Sequence, residues 1–202
     1  IFTGRLAIAA GRITSVTPVE TAPLDYLLPG FIDAHVHIES SLLPPSEFAR
    51  LAVRHGTVAT VSDPHEIANV CGVAGVRFML ANAASVPFKV FFGAPSCVPA
   101  TPFETAGSAL EAAAVAELLQ EDGIHYLSEV MNVPGVLHQD PELMAKIAAA
   151  RAAGKPVDGH APGLTGEALA VYARAGISTD HECVSLAEGR EKLALGMHLL
   201  IR

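Results

Sequence analysis

The chain has 202 residues, half of them apolar and 17% charged, with a mean hydropathy of +0.39; this supplies a large core and excludes a disordered chain. A formal charge of −8, with Lys and Arg scattered, argues against a nucleic-acid partner; no apolar run approaches the roughly 18 to 20 residues of a membrane span and no signal peptide is visible, so neither a membrane nor a secretory route is expected. Cys71, Cys97 and Cys183 are odd in number and far apart, with no CxxC, which speaks against a disulfide framework or a Cys-type zinc site and for a cytoplasmic location.

In chain order, residues 1–19 read as short strands around a turn at Ala10-Gly11. The run Leu28 to Ile38 then carries His35 and His37 two residues apart, so in an extended backbone both imidazoles point to one face. Such a pair alone is ambiguous between metal binding and packing. A strand at 57–62 leads into Asp63-Pro64-His65-Glu66, which also reads as a helix start with Asp63 as its cap. A strand at 88–93 is followed by the loop Ser96 to Pro102. Ser108 is placed to cap an Ala-rich helix through Leu110, Val115, Leu118 and Leu119, ending near Gly123. The strand at 124–130 bears Glu129 near its end and Asn132 just beyond it. Asp140-Pro141 starts a helix that Gly154 closes. Strands at 156–160 and 177–181 end in His160 and His181, and 197–201 is the last strand.

Six helical segments fill the gaps after the first of these later strands, which predicts parallel βαβ units in a barrel or a doubly wound sheet. No G-x-G-x-x-G follows the first strand and no G-x-x-x-x-G-K-[ST] occurs, so nucleotide-binding folds lose ground. Asp63, His65, Glu129, His160 and His181 all fall at carboxyl ends of strands, where such folds place their active sites. His55, His125, His138 and His198 lie at strand starts or in a loop and receive no role.

The segments LPGFIDAHVHIESS, TVSDPHEIANV, YLSEVMNVPGV, VDGHAPGL and STDHE resemble, in order and through nearly the whole chain, those of bacterial adenine deaminases in the amidohydrolase superfamily. The resemblance implies an α/β fold, a (β/α)8 TIM barrel of the amidohydrolase type, over residues 28–202, with residues 1–27 as part of a small β-sandwich. It implies a binuclear divalent centre of Mn, Fe or Zn, with His35 and His37 on the first ion, Glu129 bridging, and His160 and His181 on the second. A hydroxide between the ions would convert adenine to hypoxanthine and ammonia, a step of purine metabolism. Many members bridge their metals with a carboxylated lysine, but Lys89, Lys146, Lys155 and Lys192 fall in helices or at strand starts, which leaves Glu129 for that task.

Under the same resemblance Glu129, Asp63 and His65 are the catalytic candidates. Asp63 and His65, with Glu39, would then support the metal pair or add a further metal site, in place of merely capping a helix. Asn132 and Ser96 are candidates for binding the purine substrate. The family's eighth strand, with its metal-binding aspartate, has no counterpart. A chain shorter than the roughly 250 residues of a complete barrel is expected to be a fragment truncated after strand 7, whose exposed last strand favours a homo-oligomer. Two other readings stay open: another superfamily hydrolysis, of a cyclic amide or an N-acetyl group, and a non-catalytic metal-binding fragment.

Overall fold

A hairpin comes first. Strands β1 (Gly4–Ala9) and β2 (Arg12–Pro18) pair antiparallel, and Ala10 and Gly11 between them both hold positive φ, 49° and 71°, as the twist of a two-residue type I′ loop requires. This hairpin belongs to a unit that spans Ile1–Gly30, and a second unit begins at Phe31. The computed structural model describes residues 1–23, 25–101 and 103–201. Leu24 and Arg202, within the regions 1–27 and 28–202, and Pro102, which closes the loop 96–102, lie outside the described residues.

In the second unit, β3 (Phe31–Val36), β4 (Thr57–Ser62), β5 (Lys89–Ala94), β6 (Ile124–Val130) and β7 (Val157–Gly159) form one parallel sheet whose spatial order is the chain order. Strands β8 (Thr179–Asp180) and β9 (His198–Leu199) pair in parallel. A parallel bridge from Val157 to Ile177 carries the series on from β7.

Parallel neighbours need a crossover between them, and the helices supply it: α1 (Pro45–Ala52), α2 (His65–Ala83), α3 (Ala112–Leu118), α4 (Val133–Leu137), α5 (Pro141–Ala152), α6 (Gly166–Arg174) and α7 (Leu186–Ala194). The gap between β6 and β7 holds two of them, α4 and α5. The result is an open section of a parallel (β/α) barrel. No helix among the described residues is long and apolar enough to cross a membrane.

Phe92, Ile124 and Leu127 of the sheet pack with Leu118, Ile147, Leu169 and Tyr172 of α3, α5 and α6, all within 2% of full burial. At roughly 1.5–3 kcal/mol for each large apolar side chain, this layer holds the strand ends rigidly. Asp140 caps α5 as predicted, its Oδ1 accepting the Leu143 N–H at 2.9 Å.

Ser108 is a correction. Helix α3 starts later, behind Glu111, and the N–H of Ala112 donates instead to Glu142 Oε2 of α5 at 2.9 Å. The N–H groups of Gly107 and Ser108 donate to Asn69 O. This contact lies at a break in α2, where Gly72 takes φ 62° and ψ −149°. A Cβ at Gly72 would meet Ser108 Oγ at 2.6 Å, so the close approach depends on glycine.

Candidate metal centre

Glu129 is the hub of the strand ends. Its side chain is 3% exposed, and five imidazoles face its two oxygens. His160 Nδ1 and His181 Nε2 each lie 2.9 Å from Oε2, with His35 Nε2 at 3.9 Å. On the other side, His65 Nδ1 and His37 Nε2 lie 3.3 and 3.4 Å from Oε1. His35 of β3 and His37, one residue beyond its end, bring their Nε2 atoms to 3.2 Å. His35 also stacks on His181 with ring centroids 3.7 Å apart.

These nitrogens outnumber what one carboxylate accepts. His37 Nδ1 lies 2.9 Å from Asp63 O and so carries the proton, which leaves a lone pair on Nε2 where it meets the His35 ring. A buried carboxylate among converging imidazole lone pairs is a nitrogen and oxygen donor set suited to a divalent ion. Ligand atoms of His37, Asp63, His65 and Glu129, of His35, Asp158 and His181, and of Glu129, His160 and His181 all approach within 4.8 Å in each group. The residues therefore fit such an ion.

Burial works against ionisation of Glu129, yet the bonds and charges of His160 and His181 hold its carboxyl well below the usual range. Burial likewise works against a charge on His65, but the Asp63 bond and the charges of Asp63 and Glu129 raise it to about 9. Asp63 does not cap α2 with its side chain. Its Oδ2 meets His65 Nδ1 at 2.9 Å, and helix α2 has no side-chain cap at its start. Glu39 takes that role from outside, its Oε1 accepting the Ile67 N–H at 3.1 Å.

The two residues expected to bind substrate each make a contact within the chain. Ser96 is buried, and its hydroxyl donates to Glu129 O at 2.6 Å. Lys146 of α5 secures the same turn by donating to Ser96 O at 2.9 Å. Asn132 Oδ1 accepts the Gly135 N–H at 2.9 Å and caps α4. Lys155 and Lys192 also donate to backbone carbonyls. His55, His125, His138 and His198 enter none of the ligand groups found among the described residues.

Two residues were missed from sequence. Asp158 of β7 turns its Oδ2 to 3.9 Å from His35 Nδ1, and burial pushes its carboxyl up to about 6 even as the Thr179 hydroxyl donates to it. Its place two residues before His160 was the available signal, since alternate strand residues share a face. Tyr172 of α6 is fully buried; its hydroxyl donates to Val130 O at 2.6 Å and accepts the His160 N–H at 3.0 Å. It thereby ties the ends of β6 and β7. Tyrosine on an apolar helix face reads only as core.

The profile described as the amidohydrolase family matches residues 26–201. Adenine deaminase of Salinibacter ruber is 63% identical over 95% of this chain and 35% of its own length. That of Sulfurovum sp. is 58% identical over 100% of this chain and 38% of its own, and that of Methanosarcina mazei is 57% identical over 100% and 36%. The chain thus spans little more than a third of the relatives it matches.

Among solved structures, YJJV, a TatD homologue of Escherichia coli K12, superposes with a TM-score of 0.59 at 17% identity, over 84% of this chain and 66% of that one. The N-isopropylammelide isopropylaminohydrolase of Burkholderia multivorans gives 0.56 at 18% identity, over 98% and 64%. At such identities the likeness is one of fold.

Proposed function

This chain belongs to the amidohydrolase family, and on that premise we propose that it forms the metal-binding part of an enzyme that converts adenine and water to hypoxanthine and ammonia. The observation that carries the reading is the convergence of five imidazoles on the buried Glu129 carboxylate. The substrate is taken from relatives named adenine deaminase at 53–63% identity.

His35, His37, Glu129, His160 and His181 would hold a binuclear centre of Mn, Fe or Zn, with Glu129 shared between the ions. Divalent ions bound there supply Lewis acidity that brings the pKa of a water from 15.7 toward about 7.

The remaining chemistry belongs to side chains. Deamination adds the water oxygen to C6 of the purine and breaks the bond from C6 to the amino nitrogen. One hydrogen of the water ends on ring N1 and the other on the departing ammonia. His65, bound through Nδ1 to Asp63, keeps Nε2 to move these protons. Asp63 holds its tautomer and orientation. Ser96 and Tyr172 fix the backbone carbonyls of Glu129 and Val130.

The free state of Cys71, Cys97 and Cys183 supports a cytoplasmic setting. The test is ammonia release from adenine by protein that carries this chain, with Mn, Fe or Zn supplied. Release is expected; inactivity on adenine combined with turnover of a cyclic amide or an N-acetyl compound would overturn the reading.

A further inference from the structure

A second cluster of titratable groups lies behind the loops that follow β7 and β8. Lys192 of α7 has no exposed surface. Its Nζ donates to Ala161 O at 2.7 Å, Asp180 Oδ2 at 2.9 Å and Glu188 Oε1 at 2.7 Å. Asp180 Oδ1 accepts the Ala161 N–H at 2.8 Å, and its Oδ2 also accepts from Cys183 Sγ and the Glu182 N–H. Glu188 accepts the Gly163 N–H on Oε1 at 2.8 Å and the Val184 N–H on Oε2 at 3.1 Å. All four carboxylate oxygens are used, and the ammonium is the cation they surround.

The attachment points are what give this cluster a function. Ala161 directly follows His160, and Asp180 directly precedes His181. Lys192 grips the first by its carbonyl and the second by its carboxylate, while Asp180 and the Ala161 N–H close the loop between them. We propose that Lys192, with Asp180 and Glu188, is a positioning residue of the metal centre, clamping the His160 and His181 backbones together so that both imidazoles address one ion. Nδ1 of His160 and Nε2 of His181 stand 3.3 Å apart under this clamp. His35 and His37 are held separately: the His35 N–H donates to Asp33 Oδ1, and His37 is tied to Asp63 O. Loss of the clamp therefore acts on one half of the centre.

The proposal rests on the two-ion reading, so wild-type stoichiometry is measured first, by elemental analysis across a chelator-buffered series of Mn or Zn. Two ions are expected. In Lys192→Met the ion on His35 and His37 is retained, and the one on His160 and His181 binds about 10–100-fold more weakly, the usual range for loss of a group that orients a ligand. The double variant Lys192→Met/Glu188→Gln keeps the net charge of the cluster. It is expected to melt near the wild-type temperature and to show the same selective loss, which separates positioning from general stability. Should either of these fail to fold, Asp180→Asn alone removes the charged grip of Lys192 on the residue before His181, leaves Glu188 on Lys192, and still weakens the second ion.

Unchanged affinity for both ions in a folded variant, or equal weakening of both, overturns the clamp while leaving the two-ion reading in place. A wild-type protein that binds one ion overturns that reading and the clamp with it.

Discussion

With five imidazoles turned toward one carboxylate, Glu129 and His35 are the residues whose loss should empty the centre. Glu129→Ala and His35→Ala are each expected to lower bound metal in purified protein, read by elemental analysis; unchanged content in both would refute the ligand assignment. His65 yields a test in the metal-free protein. Its ordinary value near 6.5 is raised to about 9 in the folded chain, where burial opposes the charge but the Asp63 bond overcomes it. The stability it contributes is therefore fully present below about 6.5 and is lost as the pH climbs through about 9. Asp63→Asn removes the charged partner, so the His65 imidazole should titrate lower by NMR and the decline in stability over this window should flatten. Equal titration in both proteins would count against the pairing. His35 and His37 were legible because strand parity puts them on one face. Lys192 was not: a Glu188 and Lys192 pair four residues apart reads as a surface helix pair, and only the tertiary fold buries it.

At the scale of elements, the strands and their gaps could be read directly because short apolar runs alternate with capped helices. What failed was local competition for backbone groups. Ser108 looks like an N-cap, but its segment is drawn to the Asn69 carbonyl at the break in α2. The cap that Asn132 gives α4 through its amide oxygen was not read from sequence. Asn132→Ala should therefore cost about 1 kcal/mol of stability, the usual loss for a removed cap, with KM unchanged. A higher KM at unaltered melting temperature would assign the side chain to substrate instead. Gly72→Ala should lower the melting temperature by calorimetry, because the residue combines φ 62° with a Cβ only 2.6 Å from Ser108 Oγ. A variant as stable as wild type would show that the break relaxes freely.

For the whole molecule, the second unit has two sheet margins. Among the described residues β3 pairs with β4 and β9 with β8, each leaving one side of the strand without a recorded strand partner. Unpaired strand edges seek partners, so this chain by itself is expected to elute above its 21.0 kDa mass in size exclusion with light scattering; a strictly monomeric profile would contradict that. The strand order also has a consequence for biosynthesis. Because neighbours in space are neighbours in sequence, the ligands leave the ribosome in the order in which they line the barrel. At about 5–20 residues per second, roughly 7–30 s separate the emergence of His35 from that of His181. The first histidines are thus joined by Asp63 and His65 and then by Glu129 well before the far side of the pocket has been translated.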